Sequence, residues 1–308
     1  MSARAEHLLT RLEWTVIRRL DGLLQGDYRT LMRGSGLDLA DLREYQYHDD
    51  VRHIDWNVTA RLQSPHVRQF TEDRELTAWF LIDLSPSVDF GSRDVRKRSV
   101  STEFVAVLAR LLSRHGNRVG ALLYGAGVDT VIPPGSSRRH VLRLLHSLQS
   151  RPALVRPGAT DLRVLLDSAL RTVRKRSSIF VLSDFISEPG WDVPLGQLVQ
   201  RHDVLAIRVL DPLERALPDL GLIVMHDPET GEQLTVDTQN AKFRQRFAAL
   251  AAAREDDIRQ AFARAGVDAL ELATDDDLID AIVRFVDLRR RRLALARGSL
   301  PQHLKASA

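Results

Sequence analysis

Phe80-Leu-Ile-Asp83-Leu-Ser85-Pro-Ser87 runs from a continuous apolar segment straight into a carboxylate and two hydroxyls at alternating positions. A second apolar run, Ile179-Phe-Val-Leu182, leads through Ser183 to Asp184. Between the two, the loop Pro157-Gly-Ala-Thr160-Asp161 presents a hydroxyl just before a helical pattern. Runs that are apolar at every position belong to strands covered on both faces, which is the condition of a mostly parallel sheet with helices on each side. In such a doubly wound α/β sheet the functional loops lie beyond the carboxyl ends of the strands. The pattern therefore sends the oxygens of Asp83, Ser85, Ser87, Thr160 and Asp184 to one end of one sheet.

Outward from this stretch, apolar runs and helical periodicity alternate. Strands are expected at 76–82, 118–124, 129–132, 178–183, 204–210 and 267–272. Helices are expected at 93–115, 137–149, 160–174, 193–201, 240–264 and 276–292, with a hairpin-like segment at 221–236. Within 240–264, Phe243, Phe247, Leu250, Ile258 and Phe262 keep helical spacing and are expected in the core. Upstream, Leu8, Leu9, Leu12, Val16, Ile17, Leu20, Leu23 and Leu24 share one face of a helix over 5–24, which Gly26 stops. So apolar a face is expected to dock on the rest of the chain. The organisation that follows is an N-terminal helical and irregular extension over 1–76, an α/β domain over 77–292 and a tail over 293–308.

A chain of 308 residues that is 44% hydrophobic and 28% charged can bury a substantial core. It has no cysteine, which excludes disulfides, thiolate metal sites and a cysteine nucleophile. No apolar run approaches the ~20 residues that span a bilayer, and the first thirty lack a signal-peptide pattern. A soluble, cytoplasmic protein is expected. The net charge of +3 is small, and acidic residues are interspersed among the arginines, so nucleic acid is not an expected partner.

Two carboxylates and three hydroxyls suit a hard divalent cation such as Mg²⁺, or Mn²⁺, which favours about six oxygens and keeps some of its waters. An ion with so few direct carboxylate ligands retains positive charge and can accept a carboxylate from outside. Asp83-x-Ser85-x-Ser87 with Thr160 and Asp184 resembles the five-residue metal-ion-dependent adhesion site of von Willebrand factor A domains. The segment Tyr45-Gln-Tyr-His-Asp-Asp-Val-Arg-His-Ile-Asp-Trp56, with Ala60-Arg61 and Phe70-x-Glu72, resembles the bacterial family called domain of unknown function 58. That resemblance covers residues 30–210 well and extends more loosely to about 290. It implies a von Willebrand factor A-like fold and a non-enzymatic adaptor that works with a MoxR-type AAA+ ATPase on a client protein, in assembly or maturation. One departure is Ala159, where a second glycine is expected before the threonine.

Other signals have simpler accounts. His48, Asp49, Asp50, His53 and Asp55 are dense in potential ligands, but the two histidines stand five apart, not at the i, i+4 spacing of a zinc helix. Asp55 is expected to cap a short helix through Trp56 and Arg61. A Mg²⁺-dependent phosphohydrolase using Asp83 is the enzymatic alternative. Such enzymes generally carry a second aspartate two residues on as general acid, and here that place is Ser85. No Walker loop is present, so ATP hydrolysis belongs to a partner. The arginines at 289–292 follow Asp275, Asp276 and Asp277 at the other end of helix 276–292, and each group complements its end of the helix dipole.

Overall fold

The computed structural model describes residues 3–17, 20, 41–46, 51, 54–69, 76–92, 95–152, 159–226 and 231–287. Helix α1 (Ala3–Leu12) continues into a π-helical turn over Glu13–Ile17. Strand β1 (Asp41–Glu44), helix α2 (Trp56–Leu62) and strand β2 (His66–Gln69) follow, with β1 and β2 paired antiparallel. The main body begins at β3 (Thr77–Asp83), with α3 (Lys97–Arg114), β4 (Arg118–Tyr124), β5 (Val128–Gly135) and α4 (Arg138–Gln149). It continues through α5 (Leu162–Thr172), β6 (Ser178–Ser183), α6 (Asp192–Arg201) and β7 (Asp203–Leu210). The antiparallel hairpin β8 (Leu222–His226) and β9 (Gln233–Asp237) precedes α7 (Ala241–Ala265), β10 (Asp268–Ala273) and a last helical stretch at 278–287.

Six strands form one sheet in the order β10-β7-β6-β3-β4-β5, parallel throughout except for the antiparallel edge strand β5. This is the doubly wound, mostly parallel α/β sheet expected. Successive side chains of a strand point to opposite faces, and β3 divides its residues accordingly. Ala78, Phe80 and Ile82 join a core with α1, α3, α4 and the 278–287 helix, whereas Trp79 and Leu81 join a core with α5, α6 and α7. Chain direction across the sheet reverses at β3, whose neighbours are β4 on one side and β6 on the other. A crevice opens at such a switch point, beyond the carboxyl ends of the two strands.

The leucine-rich face of the N-terminal helix is docked, as expected. Leu9, Leu12, Ile17 and Leu20 are buried in the larger core. Glu6 and Glu13 pair with Arg138 and Arg110 at 2.9 and 3.0 Å. Residues 21–24 of the expected helix and the tail from 293 lie outside the described residues. Helix α7 departs from expectation in its first half. Ile258 and Phe262 are buried, but Phe243 and Phe247 are half-buried and Leu250 is exposed. The apolar stripe is right in period, but only its later part, Ile258 to Ala265, joins the core. The final helix is capped by Asp277, whose carboxylate accepts from the amides of Ile279 and Asp280 at 2.8 and 3.1 Å. Arg289–Arg292 lie outside the described residues. Among the described residues no helix is long and apolar enough to cross a membrane.

Candidate metal centre

Strands β3 and β6 lie side by side and deliver Asp83 and Asp184 to the same end of the sheet. Asp83 Oδ1 accepts the Ser85 amide at 2.9 Å, closing the turn, and Oδ2 accepts the Ser183 hydroxyl at 2.7 Å. Pro86 then opens a 3-10 turn, Pro86–Asp89, that returns Ser87 beside Ser85, their hydroxyl oxygens 3.1 Å apart. The Thr160 loop is tied to both strand ends. Its Asp161 amide donates to the Tyr124 hydroxyl at 3.1 Å, and Tyr124 stands in register with Asp83. The Thr160 carbonyl accepts from the Ser187 hydroxyl and the Glu188 amide at 3.0 and 2.9 Å, just after Asp184. All five residues singled out in the sequence are therefore drawn to one crevice, and all are buried, at 1 to 6% exposure.

The turn after β6 is held tightly. Phe185 has φ of 59°, in the left-handed region that costs a bulky residue about 1–3 kcal/mol. The Phe185 amide donates to the Ser183 hydroxyl and the Ile186 amide to Asp184 Oδ1, at 2.9 and 3.0 Å. The Phe185 ring packs against Trp191 and Phe262 at centroid distances of 5.1 and 4.8 Å. Hydrogen bonds and aromatic packing together fix a backbone that aims Asp184 into the crevice.

Sequence reasoning missed Lys97. It is the first residue of α3, fully buried, and its ammonium donates to Asp184 Oδ2 at 2.8 Å and Glu214 Oε1 at 2.5 Å. Burial alone would lower the Lys97 pKa, but the charges of Asp184 and Glu214 outweigh it and hold the group above its ordinary value. Glu214 is fixed in turn by a capping box with Asp211. Asp83 moves the other way for an acid. Burial, then the nearby Asp184 carboxylate, push its pKa up to about 6 against the pull of hydrogen bonds from Ser183 and Ser85. The only hint in the sequence was rarity, since Lys97 is one of four lysines among 44 basic residues.

The donor set fits a hard divalent cation. Two ligands at ~2.1 Å in adjacent octahedral positions stand about 3.0 Å apart, close to the 3.1 Å between the Ser85 and Ser87 hydroxyls. Each Asp184 oxygen accepts one hydrogen bond and keeps a lone pair for a bound water. Among the described residues no group of three or more His, Asp or Glu side chains gathers to hold a metal, so an ion here depends on hydroxyls. Of the histidine and aspartate cluster upstream, His48, Asp49, Asp50 and His53 lie outside the described residues. Asp55 caps α2 as expected, accepting the Val58 amide at 3.2 Å. A cleft of about 740 Å³ opens beside Ser87, walled by Phe90, Ile186, Met225, Phe247 and Arg254.

Known proteins resemble this chain along most of its length. It is 41% identical over 285 residues to an uncharacterized protein of Mycobacterium tuberculosis (strain ATCC 25618 / H37Rv), covering 92% of this chain and 89% of that protein. It is 39% identical over 164 residues to an uncharacterized protein of Mycobacterium avium, covering 53% of this chain and 95% of the relative. Among solved structures, an aerotolerance-related membrane protein from Bacteroides fragilis aligns with a TM-score of 0.44 and 13% identity, over 70% of this chain and 99% of that one. BatB from Bacteroides thetaiotaomicron aligns with a TM-score of 0.44 and 17% identity over the same shares. The family described as "Protein of unknown function DUF58" matches residues 41–257, from β1 through the strands that carry Asp83 and Asp184 and well into α7, and the chain belongs to that family.

Proposed function

We propose that this protein is a non-enzymatic, cytoplasmic adaptor that captures an acidic side chain of a partner protein through a divalent cation, Mg²⁺ or Mn²⁺. Asp83, Ser85, Ser87, Thr160 and Asp184 hold the ion. The observation that carries this reading is the convergence of these five buried oxygen donors at the sheet's switch point, beside an apolar-walled cleft that admits a protein segment. A bound ion supplies an electrophilic position for the incoming carboxylate. Ser85 and Ser87 present neutral oxygens, while Asp83 and Asp184 are braced by Ser183, Ile186 and Lys97. The MoxR-type AAA+ ATPase and its client are the partners that the family resemblance supplies. The phosphohydrolase alternative is weakened because Ser85 stands where a second aspartate would serve as general acid, and a serine hydroxyl cannot protonate a leaving group near neutral pH.

Melting curves with Mg²⁺ or EDTA test this. The wild type gains stability with Mg²⁺, by about 2.7 kcal/mol at a hundredfold excess over Kd, and Asp83→Ala gains none. Capture of the MoxR-type ATPase from the same genome is lost in EDTA. Equal Mg²⁺ responses in both proteins, with capture indifferent to EDTA, would mean that these residues only form turns. Phosphate-ester turnover abolished by Asp83→Asn would favour the hydrolase.

A further inference from the structure

Among the described residues, Lys97 donates to the carboxylate of the candidate ligand Asp184, and its ammonium is shared. Its ammonium reaches Asp184 at 2.8 Å and Glu214 at 2.5 Å, with the Phe90 ring 5.9 Å away. Lys97 is fully buried, so no competing water screens these contacts. Glu214 is held on its other oxygen by the Asp211 amide at 3.1 Å and also lines the cleft. One buried ammonium therefore divides itself between a ligand residue and a carboxylate at the cleft wall.

We propose that Lys97 is a positioning residue that competes with the divalent cation for Asp184 and sets the net charge of the loaded site, with Glu214 drawing Lys97 away from Asp184. The inference rests on the metal-dependent reading above. Asp83, Asp184 and Glu214 contribute three negative charges and Lys97 one positive, leaving −2 when all are ionised. A divalent ion brings the cluster to neutral, so a partner carboxylate meets the ion without net repulsion. Without Lys97 the loaded cluster would carry −1, holding its ion more tightly but repelling a partner carboxylate. Without the Glu214 charge, Lys97 would belong to Asp184 alone and the ion would be held more weakly. The two partners of one salt bridge thus act on the metal in opposite directions.

The test uses Mn²⁺ alone as probe, with bound and free ion counted by electron paramagnetic resonance on the full chain. Lys97→Met should bind Mn²⁺ at least about tenfold more tightly than wild type, and Glu214→Gln severalfold more weakly. Lys97→Arg, which keeps the charge, should stay within about threefold of wild type. Lys97→Met should also melt lower without metal and recover with Mn²⁺, because it leaves Asp184 unpaired until the ion arrives. Damage to the fold weakens binding in both variants, so opposite shifts cannot come from damage. Shifts of the same sign, or none, with Mn²⁺ still bound would overturn the role of Lys97 alone. No Mn²⁺ binding in any of the proteins would overturn the metal reading and this inference together.

Discussion

Ionising Asp83 without a counter-ion costs the folded protein free energy. Its pKa, raised from 3.8 to about 6, means that the folded state binds this proton more readily than the unfolded chain does. Stability from this group is thus highest below the unfolded pKa, falls as pH rises toward 6, and stays lowered at neutral pH. Asp83→Asn keeps an acceptor for the Ser85 amide and removes the charge, so at pH 7 without metal it should raise unfolding stability by ~1–3 kcal/mol while abolishing the Mg²⁺ response. Urea denaturation in EDTA, with and without added Mg²⁺, measures both. Asp83 was legible because its oxygens follow a buried strand at fixed spacing. Lys97 was not, because a basic residue in the first turn of an amphipathic helix reads as a solvated charge, and its partners lie 87 and 117 positions away. Arg208 left a readable trace, as a cation inside the apolar run 204–210 that has to find carboxylates when buried.

Among elements, those that pack on both sides were read most closely. Strand β6 and strand β4 match their expected limits, since a continuous apolar run bounded by polar residues has few alternative registers. Strand β5 was read too short, because its burial alternates at the sheet's edge and only Ile132 among its residues is buried. Helix α1 illustrates what docking is worth. Leu9 is fully buried between the sheet-covering helices, whereas Glu6 and Arg138 pair in solvent with side chains 53 and 42% exposed. Leu9→Ala should therefore cost about 2–5 kcal/mol, and Glu6→Ala no more than about 1 kcal/mol, in equilibrium urea unfolding. Equal small losses would show that the helix is not part of the cooperative unit.

Across the molecule, one charge network ties elements that are distant in sequence. Arg208 of β7 is buried and donates to Glu255 of α7 at 2.7 Å and to Glu271 of β10 at 3.2 Å; Arg215 bridges the same two glutamates. The hydrogen bonds from Arg208 dominate in pulling the Glu255 pKa down to about 2 from 4.5. A depressed carboxylate contributes stability above its unfolded pKa and loses it as pH falls through the folded one. Glu255 should thus contribute a full increment above pH 4.5 that vanishes toward pH 2, about 1–2 kcal/mol after solvent screening. Comparing wild type with Glu255→Gln across that window checks it, because their stability difference should shrink as acid is added. Fold class and the convergence of Asp83, Ser85, Ser87, Thr160 and Asp184 at one end of the sheet were legible from local pattern, while the partners of Arg208 were not, since Arg215, Glu255 and Glu271 read as ordinary surface charges until the sheet assembles.

The burial of α1 also has a consequence in time. Glu6 meets Arg138, 132 positions later, and the core that receives Leu9 includes residues of α4 and of the stretch 279–286. At about 5–20 residues per second of synthesis, the α1 face waits roughly 7–26 s before α4 has even been made. Contacts of such long sequence separation close slowly in any case, because loop entropy is lost before burial compensates. The nascent chain therefore carries an unmatched leucine stripe through most of its own translation, and yield in the cell will depend on what shields that stripe as much as on how stable the finished fold is.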